Sequence, residues 1–575
     1  MPEPLVILDD APSGALRRYR SPLATVTAEH PAEVPAALTA LEAALGEGSH
    51  VAGYFSYELG YALEPRLAPL MPRDRSVPLL WFGIFRDCDR PSPEEAFATD
   101  LRAYASPLRH EWNRQDYDAR FARVHAAIGA GDIYQANLSF RSRFRLVGDP
   151  LALYAALRAR AAAPHGAFVH DGARHILSLS PELFFDLTAG GDLTARPMKG
   201  TAPRGADPDS DARLCAGLRK SPKDRAENLM IVDLLRNDLG RVAELGSVAV
   251  KELFSVETYP TVHQMTSTVA AKLRAGARVT DVVRALFPCG SVTGAPKIRA
   301  MEIVGELESG PRGVYCGAIG HFAPDGSAQF NVAIRTVTLR DGAGELGIGG
   351  AVVHDSTARG EYAECRLKAR YFSETRKPIG LIETLRWAPD AGFARRDLHL
   401  ARMERSASVL GIPFGRAAAL AALDSVAGEG VRRVRLTLDE AGRFSCTHAP
   451  LGDPPAHWTY AISPARIASG DALLRHKIDW RELYEGELAR AGADEVIFLN
   501  RRGEIAEGSR SNVFVRQDGV LKTPPLSAGA LDGCLRRALL EAGRCMEAAL
   551  TPDALDGEAY FGNSLRGLIR ARRKA

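Results

Sequence analysis

The chain is expected to be a mixed α and β protein of two parts, about 370 and about 200 residues long. Three observations predict this. At 575 residues it exceeds what one hydrophobic core usually supports. Strand-like runs of alternating or β-branched residues are interleaved with amphipathic helical stretches along its whole length. A polar, charged stretch, SETRKPIG at 373–380, ends on Pro378 and Gly380 and separates a helical run from a new apolar start.

Within the first part, HILSLSPELFFDL, AQFNVAIRTVTL and ELGIGGAVV read as strands. KDRAENLMIVDLLRNDLG reads as a helix, with Leu229, Val232, Leu235 and Leu239 on one apolar face and a glycine at its end. Residues up to about 110, including VAGYFSYELGYAL, read as a more irregular region. EYAECRLKARYF closes the part as a helix-like run. The second part opens on a strand at LIETLRW, continues with the helix DLHLARMERSASVLG, and returns to strands at VRRVRLTL, DEVIFLN and SNVFV. The predicted domains are therefore 1–372 and 381–575, joined by 373–380.

Charge and cysteine usage narrow the function classes. A net charge of +3 gives no electrostatic case for nucleic acid or a membrane surface as partner. No apolar run approaches the ~18 residues of a membrane span, and MPEPLVILDD lacks the basic-then-apolar pattern of a leader. The 8 cysteines form no CxxC pair and read as reduced thiols of a cytoplasmic protein. Of the 73 basic residues 11 are lysine, which draws attention to each of them, because guanidinium cannot lose its proton and attack a carbon. One, Lys199, stands in the turn-like ARPMKGTAPRG.

Several residues have the chemistry of a site. Glu361, Glu364 and Lys368 fall at i, i+3 and i+7 of one predicted helix and share a face, a pattern that also describes a solvated ion-pair face. Glu227 lies among apolar residues of the other helix, where a carboxylate needs a partner or a metal. Two glutamates from two helices could hold one Mg²⁺ and leave positions open for a ligand. PCGSVTGAPK at 288–297 offers small residues and hydroxyls to an anion, or is an ordinary loop before a helix. Gly349 and Gly350 interrupt a strand, the mark of a bulge or of backbone close to a ligand. His263 in PTVHQMTSTV is a proton carrier or a structural histidine.

In order along the chain, SPELFF, RPMKGT, DRAENLMIVDLLRNDLGR, VHQMTSTV, FPCGSVTGAPKIRAMEIV, GVYCGAIG, FNVAIRT, GIGGAVVHDS and EYAECRLKA resemble the successive motifs of the chorismate-utilising enzymes, over roughly residues 50–372. The resemblance implies a large α+β fold of two packed sheets with helices outside, and a Mg²⁺-dependent site for chorismate. Where anthranilate and isochorismate synthases carry alanine, this chain has Lys199, as aminodeoxychorismate synthases do. The resemblance then implies that the Lys199 amine attacks C2 of the ring and the C4 hydroxyl leaves. Ammonia next attacks C4 and displaces the lysine, so one difficult substitution becomes two. Gln135, in GDIYQANLS, stands where water-adding relatives carry a basic lysine, which disfavours water as the nucleophile.

By motif, Glu227 and Glu364 would be Mg²⁺ ligands, and Arg335 with Tyr315 would hold the enolpyruvyl carboxylate. Thr293, Gly349 and Gly350 would line the ring carboxylate, with Lys368 adding positive charge. Glu182 would be the general acid, and His263 would orient or transfer a proton. The contexts PCGSV, VYCGA and DGCLR do not match the cysteine elbow of a glutamine amidotransferase, so a separate amidotransferase subunit is implied as the source of ammonia.

RHKIDW, DEVIFLNRRGEIAEGSRSNVFV and LKTPPLSAGALDGCLRRALL, with GLIETLRW and HLARMERSASVLG upstream, resemble the fold-type IV pyridoxal-phosphate enzymes over about residues 379–570. The resemblance implies that Lys477 bonds pyridoxal phosphate and then moves protons. Glu507 would face the pyridinium nitrogen. Arg402 would bind the phosphate, with backbone amides near Leu531 to Cys534 at a helix start. Ser511 and Asn512 would shape the strand beside the ring, and Asn563 and Ser564 would contact phosphate or substrate. Such enzymes are commonly dimers, so a homodimer through this domain is an expectation by analogy. Together the two resemblances imply formation of 4-amino-4-deoxychorismate from chorismate and ammonia, then loss of pyruvate to leave 4-aminobenzoate, a folate precursor. The alternative is an anthranilate synthase component I fused to a pyridoxal-phosphate aminotransferase; Lys199 stands against it.

Overall fold

The computed structural model describes residues 3–10, 14–259 and 262–574. Met1 and Pro2 of MPEPLVILDD, and Pro260 and Thr261 of PTVHQMTSTV, lie outside the described residues. The chain divides into two compact units. The first comprises Met1–Ala98, Pro107–Phe144 and Tyr154–Thr375; the second comprises Thr99–Ser106, Arg145–Leu153 and Arg376–Ala575.

Two sheets form the first unit. One runs in the order Gly294–Ala295, Gln135–Gly148, Ala343–Val352, Thr336–Arg340, His175–Ser180, His165–His170, Leu5–Asp10, Ala15–Arg20. The other runs Met198–Pro203, Val262–Lys272, Asp192–Arg196, Leu183–Leu187, Ala328–Val332, Ala318–Phe322, His50–Phe55, Leu80–Phe85, Ala24–Ala28. Val6, Leu8, Val169 and Ile176 of the one pack against Tyr54, Trp81, Phe85 and Ile319 of the other. On the outer face of the second sheet, Leu38, Ile231, Leu235, Leu239 and Val283 of three helices bury against Phe55, Phe82, Phe322 and Phe330. Each such side chain contributes about 1.5–3 kcal/mol of burial.

Four readings from sequence change. HILSLSPELFFDL is two strands, one in each sheet, parted at Pro181, which has no N–H for a ladder. AQFNVAIRTVTL likewise splits into Ala328–Val332 and Thr336–Arg340 in different sheets. Leu229 is 44% exposed, because the face of helix Pro222–Gly240 that packs is Asn228, Ile231, Val232, Leu235 and Leu239. The N-terminal stretch is not irregular: its strands extend both sheets, and helix Val34–Gly46 covers one of them.

In the second unit, a four-stranded sheet (Gly392–Phe393, Leu381–Ala388, Arg432–Leu438, Phe444–Pro450) buries Leu381, Leu385, Val434 and Leu436 under Leu400, Met403, Ala407 and Leu410 of helix Arg396–Leu410. Tyr104 and Val147 belong to the same core. Their segments pair, Ala103–Ala105 against Leu146–Gly148, which draws two pieces of the sequence before 373 into this unit. An eight-stranded mixed sheet completes it, with Glu495–Asn500, Ile505–Gly508, Asn512–Gln517 and Glu558–Asn563 among its strands.

Candidate active sites

The first site forms where the chain crosses between the two sheets. Glu182 and Arg335 occupy the two crossings, and hydrogen bonds lace these together. Leu179 N–H donates to the Arg335 carbonyl at 3.1 Å, Val332 N–H to the Glu182 carbonyl at 3.0 Å, and the Ser180 hydroxyl to the Val332 carbonyl at 2.5 Å. Arg335 holds φ at 50°, a strained backbone for so large a residue.

Glu182 is 3% exposed and accepts a hydrogen bond from the Ser291 hydroxyl at 2.7 Å. Burial pushes its carboxyl up to about 7, although the Ser291 bond and the Lys199 amine pull the other way. Lys199 is half-buried on strand Met198–Pro203. Desolvation holds its amine below the ordinary value, against the opposing field of Glu227; Lys368 adds to the lowering, and Glu182 and Glu364 resist it. Carboxyl up and amine down are the opposed shifts that separate an acid from a nucleophile. The next residue must be glycine: Gly200 has φ 84°, and a Cβ there would lie 2.9 Å from Asp224 on the neighbouring helix.

Carboxylates surround the amine. Burial raises Glu227, opposed by Lys199 and Lys223. Burial also raises Glu361, which accepts from Ser356 Oγ at 2.7 Å. For Glu364 burial pushes upward, but the Lys368 ammonium at 2.9 Å outweighs it and leaves the carboxyl below its ordinary value. Lys368 also donates to the Gly349 carbonyl at 3.1 Å. A Cβ on Gly349 would meet Ser139 Oγ at 2.3 Å, so that glycine is demanded by a neighbouring strand. A Cβ on Gly350 would sit 3.5 Å from Glu361 Oε2 and 3.8 Å from Lys368 Nζ, in ordinary contact beside the charged groups. Glu227 and Glu364, both in the electrostatic field of Lys199, offer carboxylate oxygens of the kind Mg²⁺ takes, since that ion commonly binds through one or two carboxylates plus substrate oxygens.

Arg335 makes no ion pair or side-chain hydrogen bond among the described residues; desolvation lowers it, and its electrostatic neighbour is Tyr371, whose buried hydroxyl is unpartnered. Tyr315 is buried with its hydroxyl toward Ser139. Thr293 is buried and donates to the Cys289 carbonyl at 2.8 Å. Gln135 is fully buried with both amide atoms unpartnered, a polar group that calls for a ligand. His263 differs from the rest. Its Nδ1 meets Thr258 Oγ1 and its Nε2 meets Asp211 Oδ1, each at 2.9 Å, so neither ring nitrogen is open to move a proton.

Sequence reading misses two supporting groups here. Ser291 is seen only as a hydroxyl in a small-residue loop. Arg312 is 7% exposed and binds both oxygens of Glu308, the Val292 carbonyl at 2.9 Å and the Asn137 carbonyl at 2.6 Å, which fixes the loop carrying Ser291 and Thr293.

The second site lies in a cavity of about 640 Å³ in the second unit. Lys477 is half-buried, and desolvation, joined by Arg402, brings its amine down to about 8. Glu507 is buried and accepts from Tyr484 Oη at 2.5 Å and Leu531 N–H at 3.0 Å; burial pushes it up to about 7. Arg402 is clamped by Glu383 through Nε at 2.8 Å and Nη2 at 2.5 Å, and donates Nη1 to the Asp532 carbonyl at 3.0 Å. His399 Nδ1 meets the same Glu383 at 2.6 Å, while its Nε2 is buried without a partner. Sequence reading passes over Glu383 and His399, since one carboxylate in a strand and one histidine in a helix carry no spacing signal. Among the described residues, the group of three ligand-type side chains converging within 4.8 Å is Glu383, His399 and Cys534. Glu383 is already bound to Arg402 and His399, so this group reads as an anchor for the arginine.

Around helix Cys534–Glu541, Asn512 Nδ2 donates to the Leu531 carbonyl at 2.9 Å, and its Oδ1 would lie 1.9 Å from a Cβ on Gly533. Ser511 donates to Glu495 at 2.5 Å. Asn563 holds its own turn by accepting from Leu565 and Arg566 N–H. Ser564 is buried with an unpartnered hydroxyl. A lysine whose amine is brought down to about 8, a buried carboxyl, a tethered arginine and an orphaned hydroxyl beside a helix start fit a phosphorylated aromatic cofactor.

Comparison with known proteins agrees with both halves. Residues 6–374 match the chorismate binding enzyme family, and residues 380–573 match class IV amino-transferases. The chain belongs to the chorismate-binding enzymes and carries a class IV aminotransferase domain. It is 47% identical over 259 residues to aminodeoxychorismate synthase component 1 of Klebsiella aerogenes, covering 45% of this chain and 57% of that protein's length. It is 40% identical over 336 residues to the component 1 protein of Salmonella typhimurium, covering 54% of this chain and 73% of that one. Among solved structures, anthranilate synthase component I from Streptococcus pneumoniae superposes with a TM-score of 0.52 at 25% identity, over 65% of this chain and 91% of that one.

Proposed function

We propose that the first unit converts chorismate and ammonia to 4-amino-4-deoxychorismate, and that the second eliminates pyruvate from it to leave 4-aminobenzoate, a folate precursor. The observation that carries this reading is the placement of Lys199 beside Glu182, amine lowered and carboxyl raised.

In the first unit Lys199 attacks C2 of the ring, the double bond shifts, and the C4–oxygen bond breaks. Glu182, its carboxyl raised to about 7, gives its proton to the departing hydroxyl, which leaves as water. Ammonia then bonds to C4, the double bond returns, and the C2–nitrogen bond to Lys199 breaks. Arg335 and Tyr315 hold the enolpyruvyl carboxylate, while Lys368 and the Thr293 and Gly350 region receive the ring carboxylate. Glu227 and Glu364 would hold Mg²⁺, which would supply charge neutralisation at that carboxylate. His263, with both nitrogens engaged, positions strand Met198–Pro203 through Asp211. Ammonia comes from a separate glutamine amidotransferase subunit.

In the second unit pyridoxal phosphate supplies an electron sink. Lys477 would hold it and, its amine freed when the substrate amine takes its place, would remove the proton from C4 of the substrate; the ether bond at C3 then breaks, enolpyruvate leaves and takes up a proton, and the ring becomes aromatic. Glu507 would sit against the ring nitrogen, and Arg402 and Ser564 would hold the phosphate.

The test is product identification by mass from chorismate, Mg²⁺ and ammonium. The expected products are 4-aminobenzoate and pyruvate. Anthranilate in place of 4-aminobenzoate overturns the reading.

A further inference from the structure

The cavity of the second unit carries more positive charge than a cofactor phosphate requires. Seven arginines and Lys477 line it, against two carboxylates, Asp494 and Glu507. Both acids are engaged elsewhere: Asp494 accepts from the Thr459 N–H and hydroxyl, and Glu507 from Tyr484 and Leu531. Arg402 has its own counter-charge in Glu383, and Arg102 has Asp471 at 2.5 Å.

Arg433 and Arg435 are different. They alternate with the buried Val434 and Leu436 on strand Arg432–Leu438, so both side chains leave the sheet on the face away from the hydrophobic core and toward the cavity they line. Among the described residues neither makes a side-chain hydrogen bond or an ion pair. Two adjacent cations on one face of a concave wall repel each other and are relieved by an incoming anion. Planar guanidinium groups suit a carboxylate, which each can grip through two N–H bonds.

We propose that Arg433 and Arg435 form a carboxylate subsite, by which this cavity selects an amine that carries a second carboxylate remote from the reacting carbon. The inference rests on the reading of the second unit as acting on the first unit's product. That product has one carboxylate on its ring and another on its ether, whereas a simple α-amino acid has one carboxylate beside its amine. Elimination divides the two charges between 4-aminobenzoate and pyruvate. Each product then keeps half of the grip that held the substrate, which favours release.

The experiment uses the full chain with its cofactor and the double variant Arg433→Gln/Arg435→Gln. KM for 4-amino-4-deoxychorismate in pyruvate release is expected to rise by about tenfold for each arginine removed. The dependence of KM on salt should flatten while the cofactor absorbance is unchanged. Arg433→Lys/Arg435→Lys should recover part of the loss, since charge returns without the two-pronged grip. KM and salt dependence within about twofold of the parent would overturn the subsite. A second measurement does not need turnover. Calorimetric titration with 3-[(1-carboxyvinyl)oxy]benzoate, an unreactive dicarboxylate, should lose one binding event in the double variant; an identical titration also overturns the subsite. If the parent protein releases no pyruvate from aminodeoxychorismate, the functional reading fails and the titration still decides the subsite.

Discussion

The Ser291 hydroxyl donates to Glu182 Oε1 at 2.7 Å, from a short helical turn, Gly290–Val292, whose last carbonyl is held by the buried guanidinium of Arg312. The bond favours the ionised carboxylate, while burial favours the neutral acid and prevails, leaving Glu182 at about 7. A general acid must be protonated, so amination per free ammonia is expected to fall as pH rises through about 7. Ser291→Ala removes the bond that lowers the carboxyl, so this limb should move to higher pH. Glu182→Gln should abolish the limb and slow amination by about 10²–10⁴. A pH–rate profile with chorismate and ammonium reads both; a limb unmoved in either variant contradicts the assignment.

Arg335 tests whether an unpaired cation belongs to the substrate. Arg335→Met should raise KM for chorismate at least about tenfold, since a charge-assisted bond is lost. The melting temperature should hold or rise, because the folded protein no longer desolvates a guanidinium without a counter-charge. A lower melting temperature with unchanged KM would make Arg335 a structural residue.

Adjacent glycines should behave differently. Gly349→Ala forces a methyl to within 2.3 Å of Ser139 Oγ and 2.8 Å of the Leu138 carbonyl, and is expected to destabilise by about 1–3 kcal/mol. Gly350→Ala finds its nearest neighbours at 3.5 Å or more, so stability should be retained while chorismate binding weakens. Urea denaturation and KM measured on both variants separate the two outcomes; equal loss of stability would show that both glycines serve packing.

Lys477→Ala should abolish the visible absorbance of bound pyridoxal phosphate while aminodeoxychorismate still forms. Glu383→Gln leaves Arg402 buried without the carboxylate that pairs it, and loss of one partner of a buried pair costs about 3–5 kcal/mol. The second unit should therefore melt earlier and hold the cofactor more weakly, measured by differential scanning calorimetry and by cofactor titration. An unchanged spectrum for Lys477→Ala would point to a different lysine.

Much of the secondary structure is legible because period 2 and period 3.6 are local signals. Sheet membership is not. The residues on either side of Pro181 alternate equally well, so nothing local reveals that they enter different sheets and leave Glu182 between them. The helix face fails at Leu229 for a related reason: apolar character does not specify which of several apolar residues meets the sheet. The site itself is legible as an ordered set of motifs. Its geometry is not, since Glu182 and Ser291 are 109 residues apart and the clamp from Arg402 to Glu383 spans 19. His263 shows the limit of motif transfer: its position is conspicuous in sequence, but its two nitrogen partners emerge only from the fold.

Strand Gln135–Gly148 starts in one unit and finishes in the other, where Val147 lies opposite Tyr104 and both fill the core beneath helix Arg396–Leu410. A gene cut before codon 376 would thus encode a C-terminal product with holes where two of its own interior side chains belong. The halves are sewn by a stitch that passes through both pieces of cloth, and severing the thread after the seam does not yield two whole garments.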